Sequence, residues 1–583
     1  MVFIALYVSA IKCSAQEVSD TGKLSDIEVE YAAYFTDFNR LDYFKVYEGK
    51  TIRNIRIVTQ LSDLGKGDSR RQLINWGIRT ASNIAQAIHV DSRPDRIRPY
   101  LLIKEGEVVR AEKLAEAERV LRSNKFIEDA VILVEQERDG KVDLLVVVND
   151  VFSLVPELGY YNPTKFTAGI VDANLAGTTN FLGISAHYDG DAIGKLKPGL
   201  RFTLRNPLGN YVSFSGVYSS YGRSLTSSRL SESSVVIKVE RPYITNLFRW
   251  QGGLLAGLYS NYDYFNDSLF SARFKYKYAS FDGWIGLNNY KLNLFNLLNN
   301  RWSILYSARL VTRQFSQKPE LVDAEYQNNI FDQTSLLFQA SLFRRGFRRF
   351  THLFDLGRPE DLETGRIMSL TGALTRRNNH SGYYLGGEFQ LSEKIVEDHF
   401  VNIKLACGGY VEDGEVHDGK WIVSMLYVPQ KRSYRHFYFR NYYSVAYSHL
   451  LNRRYSFPLL VVGNYGLLDY GVKSVEGDIR IALKYEGILF LKEELWGFSL
   501  APLMTSQWAY LHNREREKGE VYALIGLGGR VRNRRLISSS FEGRMLYYPG
   551  LSGKKGAFGF EVGTSVDLRS TISLVHRPEF IEL

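Results

Sequence analysis

The stretch Arg301-Trp302-Ser303-Ile304-Leu305-Tyr306-Ser307-Ala308-Arg309-Leu310 decides the fold. Trp302, Ile304, Tyr306, Ala308 and Leu310 recur at every second position, with Arg301, Ser303, Ser307 and Arg309 between them. That is the two-residue period of a strand with one apolar and one polar face. Val401, Ile403, Leu405 and Cys407 alternate in the same way with Asn402, Lys404, Ala406 and Gly408, as do Ile479, Ile481, Leu483 and Tyr485 with Arg480, Lys484 and Glu486. In Phe270 to Tyr278 the apolar set is Phe270, Ala272, Phe274, Tyr276 and Tyr278, against Ser271, Arg273, Lys275 and Lys277. From Val151 onward the chain is built of such segments separated by polar turns.

A soluble sheet of this extent needs a second layer over its apolar face, and no amphipathic helix in this region supplies one. Hydrocarbon is the simpler cover, with the sheet rolled shut on itself. Roughly 430 residues at about 27 per strand and connection predict about sixteen antiparallel strands, an even number.

Composition agrees. The chain has 583 residues, too many for one ordinary domain, and its 38 Tyr and 34 Phe suit the aromatic girdles at the two rims of a bilayer. No run of about 18 apolar residues occurs, which excludes a helical span, and a mean hydropathy of −0.20 is compatible with strands that show lipid only alternate side chains. The net charge of +10 is scattered through the strands, which fits a cationic lumen or rims at anionic headgroups and not a nucleic-acid interface.

Residues 1–15 read as a signal peptide, an apolar stretch Met1 to Ile11 followed by Cys13-Ser14-Ala15, and 16–49 as a lead-in. Its removal would take Cys13 with it and leave Cys407, the other of the two cysteines, without an intramolecular partner. Residues 50–150 form a separate α+β domain. Thr51 to Thr59 reads as a strand, and Ala111 to Ser123 as a helix with Leu114, Ala117 and Leu121 on one face. Asp129 to Gln136 and Val142 to Val148 form a hairpin about Asp139-Gly140, a pair suited to the two positive-φ positions of a type I′ turn. No Ser, Thr or Asp precedes Ala111 as an obvious cap.

This order, carried by Leu102-Ile103-Lys104-Glu105-Gly106-Glu107, Ala111 to Ser123 and Lys125-Phe126-Ile127-Glu128-Asp129-Ala130, resembles a POTRA domain. One such domain before a barrel over 151–583 resembles the BamA/TamA superfamily of outer-membrane assembly proteins, the bacterial surface antigen type. Val461-Val462-Gly463-Asn464-Tyr465-Gly466-Leu467-Leu468-Asp469-Tyr470-Gly471 is similar to that family's inward-folded loop, with Leu468-Asp469 where the family carries Arg-Gly. The matching wall segment, Leu503 to Gln507, also lacks the family's carboxylate near Thr505. Loss of both partners of an inward ion pair is coherent, since losing one strands a charge.

The resemblance implies an α+β periplasmic POTRA-like domain followed by a transmembrane antiparallel β-barrel in the bacterial outer membrane. It implies assistance to the insertion, assembly or translocation of other polypeptides by strand addition. The expected client edge is Ala130, Val131, Ile132, Leu133 and Val134. A second edge is the seam between a first strand near Tyr160 to Ile170 and a closing strand Thr571 to Phe580, with Ile572, Leu574 and Phe580 on it. Expected partners are outer-membrane lipid and lipopolysaccharide, unfolded or nascent outer-membrane polypeptides and accessory periplasmic proteins, with no nucleic acid. The rival readings are a passive anion-preferring pore and a structural anchor.

No motif suggests an enzyme, a cofactor or a metal. The ten His lack metal spacing, and Gly183 to His187 lacks the second Gly of a nucleophile elbow. Glu360-Asp361 reads as turn chemistry, because adjacent carboxylates on an extended chain point apart. Phe343 to Phe350 interleaves aromatic and basic residues, as a strand at a rim or in a lumen would, with lipopolysaccharide contact as its functional variant.

Overall fold

The computed structural model describes residues 40–61, 92–124, 126–150, 153–162, 164–226, 229–261, 274–290, 302–320, 322, 330–354, 356, 359–396, 398–456, 458–468, 476–495, 498–514, 517–533, 541–549, 557–564 and 573–582. Residues 1–39, with the expected signal peptide, lie outside them. The chain divides into two compact units, one drawing on Leu102–Glu118, Ile132–Leu145 and the stretch ending at Arg56, the other holding Val146–Leu583 with Ile57–Leu101 and Arg119–Val131.

The amino-terminal elements are α1 (Arg40–Lys45), β1 (Thr51–Leu61), α2 (Pro94–Ile97), α3 (Ala111–Arg122), β2 (Ile127–Arg138) and β3 (Lys141–Asp150), with the strands in the order β1-β3-β2. Helix α3 buries Leu114, Ala117 and Leu121 completely, the face its spacing predicts. Asp139 and Gly140 take φ of 53° and 70°, so the hairpin turn has the expected hand. The missing local cap of α3 is replaced from a distance: Glu48 Oε2 accepts the Ala111 N–H at 2.6 Å, placing a carboxylate at the positive end of the helix. Glu48→Ala is expected to cost about 1 kcal/mol, seen as roughly fivefold faster hydrogen exchange of the first-turn amides of α3.

The remaining strands are β4 (Leu154–Asn162), β5 (Lys165–Asp172), β6 (Phe181–Asp189), β7 (Leu196–Arg205), β8 (Ser213–Arg223), β9 (Leu230–Arg241) and β10 (Trp250–Asn261). They continue with β11 (Tyr276–Tyr290), β12 (Ser303–Gln317), β13 (Gln333–Thr351), β14 (Pro359–Arg377), β15 (His380–Lys394), β16 (Phe400–Glu412) and β17 (Glu415–Val428). The two-residue β18 (Arg432–Ser433) precedes β19 (Phe437–Leu451), and the short β20 (Leu459–Leu460) and β21 (Glu476–Gly477) pair with each other apart from the ring. The last are β22 (Ile479–Leu491), β23 (Phe498–Asn513), β24 (Lys518–Asn533), β25 (Phe541–Tyr548) and β26 (Ala557–Thr564).

Hydrogen bonding closes these into a barrel, β26 returning to β4, with β17 paired directly to β19. Setting aside the stub β18, the ring has about 20 antiparallel strands and not sixteen, still an even number. The excess comes from very tight connections: β14 passes to β15 through residues 378–379, and β16 to β17 through 413–414. Tyr160 to Ile170, expected as a first strand, spans the β4–β5 turn. The closing strand is β26, and the described part of Thr571 to Phe580 is not a strand.

The side-chain distribution is inverted relative to a soluble protein. Leu370, Leu385, Leu374 and Tyr306 are 73%, 65%, 54% and 57% exposed on the outside, while Ser341, Ser369, Gln339 and Thr375 are buried on the inside. Outward apolar and inward polar residues alternating along every strand is the pattern of a barrel solvated by lipid tails. No described helix is long and apolar enough to cross a membrane. The alternation holds for Tyr306 and Leu310, for Leu405, and for Ile481 and Leu483, all exposed outward. It fails for Phe270 to Tyr278: within its described part Tyr276 is fully buried inside and Lys277 is exposed. Ile285 and Leu287, exposed further along β11, fix the parity of that strand and turn its tyrosines inward.

Candidate functional site

Three places were candidates for handling a polypeptide: the β2 edge, the inward loop and the seam. At the first, β2 is indeed the outer strand of its sheet. Ala130, Val131, Ile132 and Leu133 are nonetheless buried, and Val134 is partly so. Their backbone is already engaged. Glu118 Oε1 accepts the Ile132 N–H at 2.7 Å, Arg40 Nη2 donates to the Ile132 carbonyl at 2.7 Å, and the Tyr43 hydroxyl accepts the Val134 N–H at 3.2 Å. Arg40 and Glu118 are themselves paired at 2.7 Å. The edge expected to receive a client strand is capped by side chains from α1 and α3, a common way to blunt an exposed edge.

The inward loop is where its resemblance placed it. Leu459, Val461 and Leu467 pack with Leu450, Ala482, Ala509 and Leu511 on the inner wall, and Leu468 lies against Leu524, Leu546 and Tyr548. Two anchors hold the loop to the wall. The Leu468 N–H donates to Gln507 Oε1 at 3.0 Å. Arg480 Nη1 donates to the carbonyls of Leu460 and Val462, the latter at 3.0 Å. Asp469 and Tyr470 lie outside the described residues. Gly466 is needed for the fit, since a Cβ there would stand 2.5 Å from the Val461 carbonyl oxygen and 2.8 Å from Arg480 Nη1. Gly466→Ala is expected to cost about 2 kcal/mol through this overpacking, read as several-fold faster proteolysis within residues 458–468.

The wall carries a charge cluster of its own. Glu486 accepts from Arg530 at 2.8 Å and from Arg544 at 2.9 Å, and Glu542 accepts from both arginines as well. This closed square of two cations and two anions leaves little net charge on that part of the lumen.

Two more segments enter the barrel, and neither was foreseen. The turn between β13 and β14 folds inward, with Phe350, Leu353, Phe354 and Leu356 packed against Phe400, Tyr442, Phe490 and Leu503. Glu360 accepts the N–H groups of Leu353 at 2.9 Å and Phe354 at 3.0 Å, the turn chemistry its position predicts. Arg530 and Arg532 donate to the carbonyls of Phe354 and Leu356 at 3.3 and 2.8 Å. The second is residues 573–582. Leu574 and Phe580, expected on a closing strand, pack on the inner wall, while Ile572 lies outside the described residues. Pro578 was the readable signal, since a proline is unsuited to a strand paired on both sides.

The seam joins β26, of which 8 residues are described, to β4, of 9, whereas β13 and β14 on the far side of the ring have 19 each.

No family model matches the sequence, and no curated protein matches it. Solved structures similar to it include BamA from Haemophilus ducreyi lacking POTRA domains 1-3, at 12% identity and a TM-score of 0.34, over 88% of this chain and 84% of that one. CdiB from Escherichia coli is similar at 11% identity and a TM-score of 0.38, covering 88% and 76%, and CdiB from Acinetobacter baumannii at 10% and 0.39, covering 93% and 97%. Likenesses at this level carry neither family nor function.

Proposed function

We propose that the chain is a bacterial outer-membrane protein that assists the insertion, assembly or translocation of other polypeptides, with a POTRA-like amino-terminal domain in the periplasm. The observation that supports this reading is the seam, where the ring closes from β26 onto β4, a strand of 9 residues. A strand as short as β4 offers fewer ladder hydrogen bonds than the 19-residue β13 and β14, so this side of the ring is cheaper to part, exposing two strand edges. A client strand would add there by backbone pairing, needing no side-chain chemistry. The lumen, occupied by three inward segments, argues against a freely open pore.

Depletion with outer-membrane protein levels as the readout is the test. Accumulation of unassembled membrane proteins supports the reading. Unchanged levels, together with anion-selective conductance by the purified barrel, replace it with a passive pore, the second reading that the many inward arginines favour.

A further inference from the structure

We propose that the inner wall formed by β11 to β16 is a binding site for an extended polypeptide, and that residues 573–582 are its resident, displaceable occupant.

The segment has no secondary structure, yet it is fastened along its length by side chains of six consecutive strands. At one end Leu574 and Val575 are buried against Leu305, Phe343 and Ile367. In the middle His576 Nε2 lies 3.3 Å from Glu388 Oε1, Arg577 Nη1 donates to Asp282 Oδ2 at 2.8 Å, and Arg309 Nη1 donates to the Pro578 carbonyl at 2.6 Å. At the other end the Phe580 ring sits edge-on to Tyr384 at 4.9 Å and tilted over Tyr410 at 5.5 Å, and the Ile581 N–H donates to the Tyr384 hydroxyl at 2.9 Å.

The wall therefore recognises three features in order: an apolar pair, cationic side chains, and an aromatic ring. Its contacts on β12 run from Leu305, against Leu574 and Val575, to Arg309, on the Pro578 carbonyl, about 13 Å of strand and the length of the extended stretch from Leu574 to Pro578. Such a site takes a peptide lying along the barrel axis. It does so without a backbone ladder, so the occupant can leave without breaking the sheet. β11 to β16 lie across the ring from β26, the strand that precedes the occupant. The occupant is thus moored on the wall farthest from the seam.

If the proposed role in polypeptide handling holds, this is where a client with the same three features would displace the occupant in transit, and the site itself can be tested without it. The experiment uses the full chain and a chain truncated after residue 572, both folded in detergent and checked for the heat-modifiable mobility of a closed barrel. The probe is a labelled synthetic peptide of residues 573–582. Binding to the truncated chain, at least about tenfold weaker binding to the full chain, and a further loss of about tenfold when the peptide carries Phe580→Ala or Arg577→Glu, support the proposal. Planar-bilayer conductance of the truncated chain should exceed that of the full chain and fall when the peptide is added.

Equal conductance of the two chains, or peptide binding indifferent to both substitutions, overturns it. Should the truncated chain not fold, the full chain with Phe580→Ala decides by the same binding and conductance readouts, against the unsubstituted chain. Depletion phenotypes stand apart from these readouts, so failure of the site and failure of the assembly role are separable.

Discussion

Replacing Arg377 by Met is expected to destabilise the barrel by about 3 to 5 kcal/mol, the cost of leaving buried carboxylates short of their cation. Arg377 lies at the end of β14, only 3% exposed, with Nε donating to Glu412 at 2.8 Å and Nη1 to Asp418 at 2.7 Å. Both carboxylates are fully buried. The guanidinium also stacks over Tyr410 at 3.7 Å. Asp418 is further tied to the backbone N–H groups of Arg454, Tyr455 and Ser456, so it holds the chain after β19 against the wall. Methionine keeps much of the volume and removes all of the charge. Guanidinium unfolding in detergent micelles measures the loss. Adding Glu412→Gln and Asp418→Asn to the Met variant should recover most of it, because the stranded charges are then gone. A single-variant effect below about 1 kcal/mol would mean that water reaches the triad and screens it.

Glu118→Ala is expected to be almost as costly to the amino-terminal sheet, about 3 kcal/mol. It removes the carboxylate on which both the Arg40 guanidinium and the Ile132 N–H depend. Hydrogen exchange across Ala130 to Val134 should then quicken by about a hundredfold, the kinetic image of that free energy. The variant also restores the open edge that sequence reading expected. If strand addition at β2 contributes to client handling, Glu118→Ala strengthens binding of an extended peptide to this chain while weakening its fold. Opposite signs for stability and binding are the mark of an edge held shut. Exchange unchanged within a factor of two would show that Glu118 does not cap the edge.

The sequence made the barrel legible because lipid and lumen act on alternate residues, and that period survives in any single strand such as Trp302 to Leu310. Parity is harder. At Phe270 to Tyr278 the local pattern put aromatics outside, but Ile285 and Leu287 further along the same strand outvoted it, and Tyr276 with its hydroxyl on Glu232 points inward. Strand number was underestimated because it was divided from an average connection length, while the real connections include two-residue turns. The β2 edge was placed correctly by topology, yet its cap joins Arg40 to Glu118 across 78 positions, a contact no local pattern encodes. The inward loop was read through its resemblance to the family's, while the crowding that requires Gly466 is visible only in three dimensions. The occupant at 573–582 could be read only in part: Pro578 speaks against a strand paired on both sides, but no local pattern tells that Leu574 and Phe580 rest on the wall.

The gradient in strand length around the ring acts on the bilayer as well as on the sheet. The eight residues of β5 rise about 27 Å along the strand, and a tilt of about 40° leaves a height near 20 Å, below the apolar band of about 25 Å that such proteins usually present. Beside β4 and β5 the acyl chains must compress to meet the protein, whereas beside the 19-residue strands they need not. The protein thus carries its own patch of thinned, elastically stressed membrane, fixed in position relative to the barrel. A newly folding hairpin released into that patch would face a shallower hydrocarbon barrier than anywhere else on the perimeter.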